Sequence, residues 1–148
     1  MSVHSYTRCW LHLIWGTIRR EKLISPKAGK QIAQFLYDYA KEKGIYMKLN
    51  YVNPDHVHAL VDLPTKYSLE ELFQMLKGSS SHWINQSGVV PGKFAWGRGY
   101  AAFSVSHSQL GVVLRYIANQ EKHHKRLSFT EEYERFIRAH GLVVVKGD

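Results

Sequence analysis

The sequence is poor in cysteine and has no long apolar run. Its 148 residues contain one cysteine, Cys9, so no disulfide can form within the chain. This scarcity is typical of proteins in a reducing compartment and predicts a cytoplasmic location. No apolar run approaches the ~18 residues that a membrane-spanning helix requires, and His4, Arg8 and His12 interrupt the N-terminus before a signal-like stretch develops. We therefore expect a soluble protein with no membrane partner.

Acidic residues are also scarce. Twelve Asp and Glu stand against twenty Lys and Arg, which gives a net charge of +8 and a pI near 9.6. This balance favours polyanionic partners, with nucleic acid ahead of an anionic membrane, although a merely solvated basic surface has the same composition. No repeat, low-complexity tract or linker is visible, so we expect one domain over residues 1–148.

Apolar periodicity and turn signals predict an α+β fold. Strands are expected at 5–17, 45–53, 56–64 and 100–107, and helices at 26–43, 69–85, 109–124 and 131–141. Ser68 and Glu71 have the spacing of a capping box at the second helix. The order β-α-β-β-α-β predicts the ferredoxin-like arrangement, an antiparallel sheet with two helices on one face, followed by additional C-terminal helices.

Two histidines stand one residue apart in the third predicted strand. His56 and His58 point to the same side as Leu60 and Asp62, while the residues between them are apolar and face the helices. Imidazoles at this spacing can converge on one metal ion. The simpler alternative is a pair of hydrogen-bonded histidines at a sheet surface, and two ligands alone do not complete a metal site.

The helix predicted at 109–124 supplies further polar groups. Tyr116, Gln120, His123 and His124 follow one another at i, i+4, i+7 and i+8, which places them on one face of a continuous helix. An ordinary amphipathic helix has the same spacing, so periodicity alone does not make Tyr116 catalytic.

Several segments together resemble one known family. His-Val-His at 56–58, followed by Tyr-Ile-Ala-Asn-Gln at 116–120, is similar to the HUH transposases that carry a single catalytic tyrosine and move insertion sequences as single-stranded DNA. The other similar segments, in the same order along the chain, are 12–17, 52–64, 94–108 and 129–142.

The resemblance implies a mechanism. Tyr116 would attack a DNA strand, form a 5′-phosphotyrosine and release a 3′-OH, while His56, His58 and Gln120 would hold Mg²⁺ or Mn²⁺. It also implies a substrate of single-stranded DNA with a hairpin at the element ends. A homodimer is implied as well, in which the tyrosine can complete the partner's site. Whether His123 or His124 takes part stays open.

Basic residues form two stretches suited to phosphate contacts. The predicted nucleic-acid-binding residues are Arg19, Arg20, Lys22, Arg98, Lys122, Lys125 and Arg126. Unpaired bases could stack on Trp83, Trp96 or Tyr100, although core packing explains these aromatics equally well.

Two other function classes fit the same sequence. A non-catalytic or domesticated binder of DNA or RNA hairpins would need the basic surface but neither Tyr116 nor a metal. A metal-dependent phosphodiesterase that activates water would leave no covalent protein–DNA adduct.

Overall fold

A four-stranded antiparallel sheet organises the chain. The computed structural model describes residues 4–145. Its strands are β1 Trp10–Gly16, β2 Tyr46–Val52, β3 His56–Asp62 and β4 Ala101–Ser104. Its helices are α1 Pro26–Glu42, α2 Leu69–Ser87, α3 Leu110–Ala118, α4 Gln120–His123 and α5 Phe129–Ala139. The strand order β2-β3-β1-β4 confirms the predicted α+β, ferredoxin-like fold.

The main core lies between the sheet and helices α1 and α2. The residues of β3 that alternate with the histidines and point to the helices, Val57, Ala59 and Val61, are fully buried there, as predicted from the alternation of the strand. Side chains of β1, α1 and α2 complete this core, among them Leu13, Trp15, Ile32, Leu36, Leu72, Phe73 and Leu76. Burial of this apolar surface is the main contribution to the stability of the fold.

The opposite face of the sheet is covered by α3 and α5. Ile117 of α3 packs on Trp10 and Leu60, and Phe129 of α5 packs with Ile14 and Phe103. Antiparallel pairing sets Gly16 opposite His56 and Ile14 opposite His58, so the histidines share this second face. The His-x-His pair therefore lies beneath helices and is buried.

The C-terminal helical region differs from the predicted single helix at 109–124. Asn119 interrupts it with φ −102° and ψ 24°, and its side-chain amide donates to the carbonyl of Arg115 at 2.9 Å. Asn side chains compete with the backbone for such carbonyls, which favours helix ends. Tyr116 consequently lies on α3, whereas Gln120 begins α4 and is fully buried.

The strand bounds also differ from the prediction. β1 begins at Trp10 and β4 covers only Ala101–Ser104, so residues 5–9 and 105–107 lie outside strands. Between residues 4 and 145, no helix is both long and apolar enough to cross a membrane.

A Gly16→Ala substitution should loosen α5. A Cβ at Gly16 would lie 2.7 Å from Cε2 of Phe129, and that ring cannot swing away because it is buried and stacked on His56. We expect faster amide hydrogen exchange in α5 and an unfolding free energy lower by about 1–3 kcal/mol.

Gly78→Ala is the matched control. No atom lies within 4 Å of a Cβ at this position in α2, so the substitution should raise the unfolding free energy by about 0.5–1 kcal/mol. Unchanged exchange in α5 of the Gly16→Ala protein would contradict the tight contact with Phe129.

Candidate active site

A buried carboxylate lies at the centre of the second sheet face. Glu132 of α5 is 1% exposed. Its Oε1 lies 3.1 Å from Nε2 of His56, 2.9 Å from Nε2 of His58 and 3.1 Å from Nε2 of His124. Three imidazoles from two parts of the chain thus converge on one oxygen.

His56 is held between two carboxylates and an aromatic ring. Its Nδ1 lies 2.7 Å from Oδ1 of Asp55, on the side opposite Glu132. The ring of Phe129 stacks on it with the centroids 4.0 Å apart and an interplanar angle of 3°. The imidazole therefore has a defined plane and a defined edge facing Glu132.

The Tyr116 hydroxyl meets the same carboxylate. It donates a hydrogen bond to Oε2 of Glu132, and its ring stacks on His123 at 4.5 Å between centroids. The ring centroid of His58 is 5.9 Å from that of Tyr116. These contacts all lie within one chain, and the trans assembly that the resemblance implied involves a second protomer, so it stays a prediction.

Gln120 contacts the same carboxylate through its side-chain amide. Its Nε2 donates to Oε2 of Glu132 at 3.2 Å, and its Oε1 lies 3.0 Å from Nε2 of His124. The buried Asn53 donates to the same Oε1 at 3.1 Å and lies 3.2 Å from Nε2 of His56. The break at residue 119 turns Gln120 inward to make these contacts.

The electrostatics of the cluster depend on Glu132. Burial raises the pKa of this carboxyl, but hydrogen bonds from His124, His56 and His58 outweigh burial, so the pKa lies below its ordinary value. Burial, and then the hydrogen bond to Glu132, raise the pKa of Tyr116. The phenol is therefore protonated at rest.

The histidine pKa values diverge. Burial lowers the pKa of His58 to about 4, although the Glu132 hydrogen bond opposes this change. Burial and the neighbouring His58 lower the pKa of His12 to about 3. For His124, burial lowers the pKa, but the hydrogen bond to Glu132 outweighs it and the net change is upward. His12 and His58 are thus neutral imidazoles at pH 7.

The donor atoms of the cluster fit a divalent cation. Nε2 of His56, His58 and His124 and a carboxylate oxygen of Glu132 lie within 4.8 Å of one another, and Oε1 of Gln120 is adjacent. Mixed imidazole and oxygen donors suit Mn²⁺ and related transition metals better than Mg²⁺, which prefers oxygen.

Sequence reasoning did not find Glu132. Its signal is its place on α5: it follows Phe129 by three residues and precedes Phe136 by four, so a carboxylate lies on the apolar stripe of the helix. The capping box of Ser128 already uses the neighbouring Glu131. No comparable sequence feature marks Asn53 or Asp55 as a residue of the site.

Part of the predicted basic surface lies beside the cluster. A surface cavity of about 650 Å³ is lined by Lys122, His123, Lys125, Arg126, Leu127 and Arg135. The structure thus brings together three predicted phosphate-binding residues, adds Arg135 of α5, and joins them to Tyr116 through the stacked His123.

The remaining predicted basic residues lie elsewhere. Arg20 donates to Oγ1 of Thr130 at 2.9 Å and lies over the rings of Phe129 and Tyr133, so it holds α5 in place. Arg19 pairs with Glu21 at 2.9 Å. Lys22 and Arg98 are exposed on loops and are not brought to the cluster by any described contact.

Packing within the chain accounts for two of the three aromatic residues that were predicted to stack on unpaired bases. Trp96 is buried and donates to Oγ of Ser80 at 2.9 Å, so it is a core residue. Trp83 stacks on Phe35 with the centroids 4.9 Å apart. Tyr100 is 39% exposed and remains accessible on one side.

Comparisons with known proteins find similar transposases. A family model described as "Transposase IS200 like" matches residues 5–120. The ISDra2 transposase TnpA of Deinococcus radiodurans is 25% identical over 114 residues, which cover 74% of this chain and 81% of that protein. The family match ends at residue 120 and therefore stops before α5 and Glu132.

Two solved structures share the fold. One is a candidate transposase from Deinococcus radiodurans R1, 24% identical with a TM-score of 0.63, covering 81% of this chain and 97% of that one. The other is a REP-associated tyrosine transposase bound to a REP hairpin, 15% identical with a TM-score of 0.58, covering 100% of this chain and 93% of that one.

Replacing Glu132 by Gln should destabilise the metal-free protein. The buried imidazoles would lose their shared anionic acceptor and face an amide group instead, so we expect the unfolding free energy to fall by about 1–3 kcal/mol. Urea unfolding in the presence of a chelator measures the difference.

Glu134→Gln on the same helix is the control. Among the described residues, Glu134 forms an ion pair with the exposed Arg138 at 3.3 Å, and such pairs contribute about 0–1 kcal/mol. Equal unfolding free energies for the two variants would mean that the Glu132 network does not stabilise the site.

Proposed function

The chain belongs to the IS200-like transposase family, and from that premise we propose that it cuts and rejoins single-stranded DNA through a 5′-phosphotyrosine on Tyr116. The observation that carries the proposal is the carboxylate of Glu132, because one of its oxygens meets the Tyr116 hydroxyl and the other meets the histidine pair. A nucleophile and a set of metal donors thereby lie within reach of one scissile phosphate.

The metal in this proposal is a divalent cation, Mn²⁺ or Mg²⁺. His56, His58 and Gln120 are the ligands expected from the resemblance, and His124 and Glu132 are the further donors that the geometry adds. When bound, such an ion would stabilise negative charge on the scissile phosphate as a Lewis acid.

Glu132 supplies the proton acceptor that the sequence had not indicated. The Tyr116 O–H already points at Oε2, so its proton can pass to the carboxylate as the phenol oxygen attacks phosphorus. The new O–P bond forms as the bond from phosphorus to the 3′ oxygen breaks, and the leaving 3′ oxygen takes a proton from water to give a 3′-OH. In the reverse step another 3′-OH loses its proton to water as it attacks the phosphotyrosine, and the released Tyr116 oxygen takes back the proton held by Glu132.

The DNA path is proposed to run along the basic cavity beside Tyr116. Lys122, Lys125, Arg126 and Arg135 line it and supply positive charge next to the nucleophile. The solved hairpin complex of a fold neighbour supports a hairpin-bearing substrate. A homodimer remains part of the proposal and rests on the resemblance alone.

The hairpin-binding alternative needs only the basic surface. It leaves unexplained why a tyrosine, a carboxylate and three imidazoles meet at α5, since a binding module does not need a tyrosine hydroxyl aimed at a buried carboxylate.

Tyr116→Phe should abolish a covalent adduct while leaving DNA affinity nearly unchanged. Only the hydroxyl is nucleophilic, and the ring can still stack on His123. Denaturing electrophoresis of the protein with labelled single-stranded DNA from its gene flanks and Mn²⁺ measures the adduct.

Tyr67→Phe is the control for that experiment. The Tyr67 hydroxyl donates to the Lys43 carbonyl, and Tyr67 packs against the core on the face of the sheet that α1 and α2 cover. An adduct that persists in Tyr116→Phe would assign the attack to another residue. Cleavage by the unaltered chain without any adduct would favour a phosphodiesterase that uses water, and binding without cleavage would favour the hairpin binder.

Arg126→Gln should weaken DNA binding and lower its salt dependence. Removal of one phosphate contact reduces the slope of log K against log salt concentration by about 1. Lys41→Gln, at an exposed position of α1 outside this cavity, should leave the slope unchanged. The same slope for both variants would exclude the cavity from the DNA path.

Mixed dimers distinguish cis from trans cleavage. We propose that each protomer cleaves DNA with its own histidines and tyrosine, so dimers of one Tyr116→Phe protomer and one His56→Ala protomer should be inactive because each site lacks one group. A dimer of one unaltered protomer and one protomer with both substitutions should keep about half of the activity, since one site stays complete. Cleavage by the first mixed dimer would establish trans assembly.

A further inference from the structure

His12 of β1 contacts the histidine pair from the neighbouring strand. It is 2% exposed, and its Nε2 lies 2.7 Å from Nδ1 of His58. Because β1 pairs with β3 so that Ile14 stands opposite His58, His12 occupies the next position on the same sheet face. The ring of Phe136 packs edge-on against it with the centroids 5.0 Å apart, which fixes its orientation.

Two imidazole nitrogens at this distance share one proton. One nitrogen must donate and the other accept, and the choice sets the tautomer of both rings. In the cluster as observed, Nε2 of His58 faces the Glu132 carboxylate, which only accepts, so Nε2 carries the proton. Nδ1 of His58 is then unprotonated and accepts from Nε2–H of His12.

A cation at His58 would demand the opposite arrangement. Ligation through Nε2 requires that nitrogen to be unprotonated, so the proton must reside on Nδ1. The Nε2 proton of His58 is released to solvent as the cation takes its place, the Nε2 proton of His12 moves to Nδ1 of His58, and Nδ1 of His12 takes up a proton from solvent, so both rings stay neutral. Nδ1–H of His58 then donates to Nε2 of His12, which has become the acceptor. An imidazole at position 12 can act as either the donor or the acceptor of this hydrogen bond, whereas an apolar ring can do neither.

We propose that His12 is a positioning residue for the metal site, one that holds the His58 ring in place and exchanges donor and acceptor roles with it when a divalent cation binds. This inference rests on the proposed metal site. It assigns a role to a residue that contacts neither the phosphate nor the cation.

The variants His12→Phe and His12→Gln test the role of the hydrogen bond. Phe keeps a flat ring against Phe136 but cannot bond to His58, whereas the Gln amide can donate or accept at that position. In calorimetric titration with Mn²⁺, we expect the dissociation constant to rise by about 10–100-fold in His12→Phe, the usual effect of losing such a partner. His12→Gln should restore most of the affinity, and His82→Gln, an exposed histidine on α2, should not change it.

The tautomer of His58 gives a second readout that does not depend on activity. Long-range ¹H–¹⁵N spectra of the unaltered chain should place the proton on Nε2 without metal and on Nδ1 after addition of Zn²⁺, a diamagnetic stand-in for Mn²⁺. This measurement also serves if His12→Phe does not fold.

The outcomes separate this inference from the metal site itself. An unaltered chain that binds no Mn²⁺ would refute the metal site and the role of His12 with it. Binding by the unaltered chain that His12→Phe leaves unchanged would refute the role of His12 alone. Equal loss in His12→Phe and His12→Gln, or a His58 proton that stays on Nε2 when Zn²⁺ binds, would also overturn the inference.

Discussion

The site depends on the buried carboxylate of Glu132, a residue of α5. A buried charge is costly unless it is paired and hydrogen-bonded, and Glu132 satisfies this requirement with groups from β3, α3 and α4 and from the residue after α4. Its two oxygens divide the partners: Oε1 faces the imidazoles and Oε2 faces Tyr116 and Gln120. The same pairing that stabilises the helix on the sheet therefore brings the proposed nucleophile, Tyr116, to the proposed metal donors.

The fold determines how closely α5 can approach the sheet. Gly16 leaves space for the Phe129 ring, which stacks on His56, and Arg20 binds the start of the helix through Thr130. Arg20 has a positive φ of 55°, a backbone conformation that is uncommon for a residue with a side chain. An arginine expected to bind phosphate thus serves as a contact within the chain, while Arg135, on the same helix as Glu132, faces the basic cavity.

The sequence predicts the features that depend on local periodicity. Alternation along β3 places His56 and His58 on one sheet face, and turn and cap signals are sufficient for the ferredoxin-like order. Periodicity fails at Asn119, where a side chain ends the helix, so the face shared by Tyr116 and Gln120 arises from a break and not from continuous helical spacing. Glu132 is 76 residues from His56, and a contact at that separation is set by tertiary packing alone.

We propose that these imidazoles and the carboxylate form one metal site next to the tyrosine. The most direct test is pulsed electron paramagnetic resonance of Mn²⁺ bound to protein with ¹⁵N-labelled histidine. We expect couplings to at least two imidazole nitrogens, those of His56 and His58, and we expect these couplings to disappear when both residues are replaced by alanine. Mn²⁺ that binds with no histidine coupling, or with couplings that survive the double replacement, would contradict it.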